Sequence, residues 1–253
     1  MAQPILAGIA LSVSTSPLND QEPSFQYLRW PIVELTDYLN QGLIEICNYR
    51  PDAFMTTANL TLVAGSQQSL LTLAPGTRLL KSLNFNATSL DSTNPPITAA
   101  DLSLMRTYYK APCMLTNENN GYRVLTYGYD AKNPYIFYVS PPVPVGNTQV
   151  VNATVVAEPT QYVYSGGGPG NPAWTPSTDL ALDQMYYTAL RFFMAARAFE
   201  VDTESATSQS ESEKFYKKFY NLLGVNYKQA TEYNAGKYLG QGSDHRMTKE
   251  RVA

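Results

Sequence analysis

Residues 30–54 read WPIVELTDYLNQGLIEICNYRPDAF, and this stretch decides how the rest of the chain is organised. Pro31 suits a first helical position, where its missing N–H costs nothing, and Glu34 complements the positive end of a helix. Ile32, Leu35, Leu39, Leu43 and Ile46 recur at spacings of three and four, which is one apolar face. Pro51 disfavours helical geometry at Arg50 and so ends the run. The pattern predicts a helix over 31–49, with Cys47 inside it as a small buried hydrophobe. Such a helix is marginal alone in water, so its apolar face needs partners from elsewhere in the chain.

Those partners come from near the other end. Beyond Thr178-Asp179, the residues Leu182, Met185, Tyr186, Ala189, Leu190, Phe193 and Ala196 form a wide apolar stripe. A Ser/Thr-rich acidic corner at 202–208 leads to a second helix, with Phe215, Phe219 and Leu222 as its stripe and Gly224 as its C-terminal cap. The intervening chain has β character. Residues 56–63 alternate, Ala64-Gly65-Ser66 reads as a turn, and 69–73 alternate again, which predicts a hairpin. The stretch 77–85 fits a strand or a short helix. Thr98 to Asp101 resembles a capping box without the preferred Glu and predicts a short helix to Thr107. Tyr-, Phe-, Val- and Ile-rich strands are expected at 122–127, 135–139 and 149–156, with a loop over 141–146. Ser165-Gly-Gly-Gly-Pro-Gly-Asn-Pro172 reads as a flexible connection.

The fold class expected is α+β. A helical bundle body, the N-terminal helix plus two C-terminal helices, carries a β-rich inserted domain and an extended C-terminal arm. The boundaries are an N-terminal extension at 1–29, the body at 30–52 and 177–224, the insertion at 53–164, a linker at 165–176 and the arm at 225–253. No internal repeat is visible. The arm has Tyr227, Tyr233, Tyr238 and Leu239 but no core, as expected of a segment that orders only against a partner. Charge is uneven along the chain. Asp179, Asp183, Glu200, Asp202, Glu204, Glu211 and Glu213 face only Arg191 and Arg197, whereas Lys228, Lys237, Arg246, Lys249 and Arg251 outnumber the acids of the arm. Opposite signs suit either two solvated surfaces or a tail docked on a neighbouring chain. Partner binding is therefore expected at Tyr227, Lys228, Tyr233, Lys237, Tyr238, Arg246, Lys249 and Arg251.

Charged residues are only 15% of the 253, and Tyr with small polar residues fills the gap, a composition that suits contact surfaces. A net charge of −3 gives no argument for non-specific nucleic-acid affinity over the whole molecule. Two cysteines, Cys47 and Cys113, make no disulfide framework. The apolar run Ile5 to Val13 lacks a basic start and is too short to span a bilayer, so neither a signal peptide nor a membrane anchor is expected. The single histidine, His245, lies in the arm, so no Ser-His-Asp or Cys-His arrangement can be assembled in the body. With no CxxC and no HExxH, no catalytic residue, metal or cofactor is expected. The glycine run at 165–170 lacks the Lys-Ser/Thr of a phosphate loop. Scattered carboxylates show no glycosidase-like constellation. Asn59-Leu-Thr61, Asn86-Ala-Thr88 and Asn152-Ala-Thr154 fit the glycosylation pattern, which is common by chance. The chain reads as a builder, not an enzyme.

The chain resembles phage head-to-tail adaptor proteins, the ring components under the portal, especially those of short-tailed phages. The resemblance rests on Glu34-Leu35-x-x-Tyr38-Leu39-Asn40 running into Asn48-Tyr49-Arg50-Pro51-Asp52-Ala53-Phe54, on Thr56-Thr57 and Leu62-Val63-Ala64-Gly65, on Tyr138-Val139-Ser140-Pro141-Pro142-Val143-Pro144, and on Leu182-Asp183-x-Met185-Tyr186. It implies a small helical body with a β-rich insertion, assembled as a ring, usually of twelve copies. The ring would sit between the portal and the tail nozzle or tube proteins, in the neck of the virion, after synthesis in the host cytoplasm. Genome DNA would pass its channel without sequence-specific binding, and no membrane is involved. Three other readings compete: a tail-tube or nozzle ring, which should be mostly β; a carbohydrate-binding β module, which should show aromatics on one exposed sheet face; and a glycosidase or lyase, which needs a cleft of converging carboxylates.

Overall fold

The computed structural model describes residues 5–15, 18, 29–87, 96–102, 122–129, 133–168, 171–177, 180–202 and 207–224. The fold is mixed α and β, with several helices and three sheets among the described residues. These residues fall into two compact units. One comprises the residues up to Phe54 together with those from Glu158 onward, and the other is Met55–Ala157.

The first unit holds the long helices. Helix α1, Ile5–Thr15, occupies part of the stretch expected as an extension. It buries Leu6, Ile9, Ala10 and Val13 and packs on α4, Tyr187–Val201. An almost wholly apolar run shows no contrast between faces, which is why its helical period is not visible in the sequence. Helix α2, Ile32–Tyr49, follows the predicted span with Pro31 at the N-cap, and buries Leu35, Leu39, Leu43, Ile46 and Cys47. Gly42 lets it approach α4: a Cβ there would lie 2.6 Å from Leu190 Cδ1 and 2.9 Å from Phe193 Cδ1.

Helix α4 starts a turn later than its apolar stripe suggests. The Asp183 side chain accepts from Met185 N and caps a 3₁₀ turn, Gln184–Tyr186, which leaves Met185 exposed. Helix α5, Ser208–Leu222, packs along α4 through a ladder of rings. Phe199 stacks on Phe215 at 5.7 Å, and Phe193 meets Phe219 at 5.1 Å. Leu222 faces outward and Leu223 is buried instead, with Gly224 at φ +72° closing the end. That conformation favours glycine.

The described residues of the glycine-rich segment lie in strands. Residues expected as a linker at 165–176 form most of a hairpin, β8 (Val163–Gly168) with β9 (Asn171–Thr175). Gly166 and Gly167 take φ near +113° and +112° beside a register shift, so the glycines serve a bulged strand. Two contacts tie the hairpin and the residue before it to α2. Trp174 Nε1 donates to Thr36 Oγ1 at 2.8 Å, and Asn40 pairs with both the N–H and the C=O of Tyr162 at 2.9 and 2.8 Å.

The second unit is β-rich. One sheet has the order β1-β7-β3, with β1 Met55–Leu62, β7 Gln149–Ala157 and β3 Thr77–Asn86, which resolves 77–85 as a strand. The other has the order β2-β6-β5-β4, with β2 Gly65–Ser69, β6 Ile136–Val143, β5 Thr126–Tyr129 and β4 Thr98–Ala99. The two inner faces bury Leu60, Leu80, Leu83, Phe137, Val139, Val151 and Val155 in one core.

The expected 56–73 hairpin does not form. β1 pairs with β7 and β2 with β6, while Leu70–Leu73 is a short helix, α3. The Gln68 side chain, bonded to Val63 N at 2.9 Å and Val63 O at 2.8 Å, holds the corner. β6 runs on through Pro141 and Pro142, which lie where its register with β2 breaks and no ladder donor is required. Thr98 and Ala99, expected to open a helix, are a strand parallel to β5, and residues 103–107 of that expectation lie outside the described residues.

The Asn residues of the three sequons are structural. Asn86 is fully buried, donates to Val124 O at 2.8 Å, and accepts from Val124 N and Gln149 Nε2. Asn59 and Asn152 join Asn84 in a side-chain amide ladder across the outer face of the β1-β7-β3 sheet.

Candidate interaction site on the first unit

Two segments that are far apart in sequence meet where the chain leaves the first unit at Phe54. The Arg50 guanidinium grips Asp52 with two bonds, 2.9 and 2.7 Å, and lies 5.7 Å from the centre of the Tyr186 ring. Tyr186 OH donates to Asp52 Oδ2 at 3.2 Å. The hydrogen bonds from Arg50 hold the Asp52 carboxyl below the usual carboxylate range. Both side chains of the ion pair are about a third or more exposed, so the cluster adds shape more than stability. It joins the Asn48–Phe54 segment to the Leu182–Tyr186 segment through their own side chains.

A groove of about 480 Å³ opens among the three long helices. α2 contributes Gln41, Ile44 and Glu45, α4 contributes Phe193, Arg197 and Glu200, and α5 contributes Tyr216 and Tyr220. Spacings of three and four place each set on one face of its helix. Polar groups along it are linked across helices. Arg197 donates to Gln41 at 3.0 Å and to Glu200 at 2.6 Å, Tyr216 OH donates to Glu200 at 2.8 Å, and Tyr220 OH donates to Glu45 at 3.0 Å. Burial, and then the adjacent Glu200 and Glu45, push the phenols of Tyr216 and Tyr220 upward, so both remain hydroxyl donors. Ile44 is exposed at the rim.

Tyrosine, arginine and an exposed aliphatic around pre-bonded carboxylates are the residue types that suit a contact surface, because rigid amphipathic rings lose little entropy on binding. The phenols are held too high in pKa to serve as bases near neutrality. Among the described residues no three His, Cys, Asp or Glu side chains are grouped as a metal site, and no helix is long and apolar enough to cross a membrane.

The residues expected to bind partners, Tyr227, Lys228, Tyr233, Lys237, Tyr238, Arg246, Lys249 and Arg251, all lie outside the described residues, as do His245 and Cys113. The groove is what sequence reasoning missed. Its signal is faint: Tyr216 and Tyr220 four apart, and Arg197 three before Glu200. Only packing shows that the two pairs face α2.

The chain was also compared with known proteins. Residues 6–240 match the family described as SU10 adaptor protein. The chain belongs to the SU10 adaptor protein family. The resemblance to phage head-to-tail adaptors read from the sequence is borne out, and the adaptor match takes in all of α1 but Ile5 and extends beyond α5 to residue 240. No curated protein matches this adaptor chain.

Proposed function

We propose that this chain is a structural head-to-tail adaptor, without enzymatic activity, that forms a ring between portal and tail in the neck of the virion. The observation that carries the reading is the adaptor-family match over residues 6–240. In this reading the helices of the first unit are a bundle body, Met55–Ala157 is its β-rich insertion, and residues 225–253 are an arm. Ring copies number twelve, as is usual in such adaptors, and the arm contacts a neighbouring chain through Tyr227, Lys228, Tyr233, Lys237, Tyr238, Arg246, Lys249 and Arg251.

The physical logic is that of a closed heterologous ring, in which every copy needs two different, complementary patches. The groove between α2, α4 and α5 suits one contact, and the basic arm suits another. The partners are the portal on one side and tail nozzle or tube proteins on the other. Genome DNA slides through the channel without sequence-specific binding, which a sparsely charged chain favours because few cations engage phosphates. Synthesis takes place in the host cytoplasm.

The mass of the purified protein, alone and mixed with portal, tests this reading. A monomer that becomes a large ring on portal is the expected result. A persistent monomer that leaves portal unbound would sink it.

A further inference from the structure

The second unit has four sheet edges among the described residues, and three are blunted. β3 has three register shifts against β7, carries Arg78 and Lys81, and is bridged at Phe85 by Pro96, with Ile97 N donating to Asn84 O at 3.0 Å. β4 has only two residues. β2 is short and bulged. These are the devices by which sheets prevent stray strand addition.

β1 has none of them. Its eight residues, Met-Thr-Thr-Ala-Asn-Leu-Thr-Leu over 55–62, contain no charge, no proline and no glycine. They pair with β7 in unbroken register from Met55↔Val156 to Leu62↔Gln149, and among the described residues β7 is their single strand neighbour. Half of the backbone groups in such an edge strand point away from its partner. A long, regular, neutral edge is a template for a further strand.

We infer that β1 is a docking edge, and that its occupant is the C-terminal segment of a second copy of this chain, added as a β-strand. The inference rests on the ring reading above and names the surface that receives the arm. Two observations favour this occupant. Beyond Gly224 lie 29 residues, a reach of roughly 100 Å when extended, and within them Tyr227, Gln229, Thr231 and Tyr233 alternate with Lys228, Ala230 and Glu232. That is a strand period, with β-formers at Tyr227, Thr231 and Tyr233 on one row. In addition, the outer face of β1 presents Thr57, Asn59 and Thr61, and Asn59 already begins the amide ladder through Asn152 to Asn84. Gln229 and Thr231 are of the chemistry that would extend that ladder by one strand. An edge and a remote arm are also the two dissimilar patches that a closed ring requires.

The test uses the full chain carrying Cys113→Ser, which leaves only the buried Cys47 as a native thiol. Chains with Thr57→Cys and chains with Thr231→Cys are mixed on portal and treated with a short bismaleimide, and amide deuterium exchange of 55–62 is followed in the unsubstituted protein. Cross-links between the two kinds of chain are expected. Exchange along β1 should slow on assembly by about fivefold or more at alternate amides, the factor equivalent to about 1 kcal/mol for one net hydrogen bond. If a chain carrying both Thr57→Cys and Thr231→Cys cross-links to itself at high dilution, the occupant is the chain's own arm and the inference fails. A ring that forms on portal while β1 exchanges as fast as in the monomer overturns the inference and leaves the ring reading intact. Slowed exchange that rises with protein concentration, without any ring on portal, supports the edge and removes the ring.

Discussion

At the scale of single residues, this molecule spends side-chain amides where backbone groups need partners. Gln68, Asn40 and Asn86 each bond to both the N–H and the C=O of one other residue, Val63, Tyr162 and Val124 respectively. A buried carbonyl or N–H left unpaired costs about 1–3 kcal/mol, more than a net hydrogen bond contributes. Asn86→Ala removes at least three bonds at a fully buried position, so it should destabilise the protein by about 3 kcal/mol or more, read from urea unfolding. Asn84→Ala, in the half-buried outer ladder, should cost under about 1 kcal/mol, since water can replace its partners. Equal losses in the two variants would contradict this account. The amide roles were not legible in the sequence, where the three sequons look alike, because satisfaction depends on which strand lies opposite.

At the scale of elements, the contact between α2 and α4 is set by one missing side chain. Gly42→Ala places a methyl 2.6 Å from Leu190 Cδ1, and Leu190 is fully buried, so its side chain must shift within a packed core. Overpacking of about 1–3 kcal/mol outweighs the gain of about 1 kcal/mol from helix propensity. A lower melting temperature is therefore expected for Gly42→Ala. Gly8→Ala in α1 has nothing within 4 Å of the new methyl and should raise it, by up to about 1 kcal/mol in stability. The helix over 31–49 was readable because its apolar face contrasts with a polar one. The α1 helix and the β8-β9 hairpin were not, the former for want of contrast, the latter because glycines that favour a flexible linker equally suit a bulged strand.

At the scale of the whole molecule, the second unit begins and ends on neighbouring strands, with Met55 opposite Val156, so the two ends of that unit are held together by its own sheet. The arm is expected to act between chains, so a chain ending at Gly224 should keep its circular dichroism and melting temperature yet fail to form a ring on portal, measured by mass. Full assembly of that shorter chain would remove the arm from the mechanism. The sequence alone determined the resemblance to adaptors, the α2 helix, the β character of much of 55–157, and the absence of a histidine before His245. These follow from local spacing, composition and motif, which need no knowledge of neighbours. Tertiary structure alone decided that β1 pairs with β7 across about ninety residues of chain, that Arg50, Asp52 and Tyr186 meet, and that α2, α4 and α5 enclose a groove. Each of these depends on which apolar faces are buried together, a choice made by the whole core at once rather than by any segment of it.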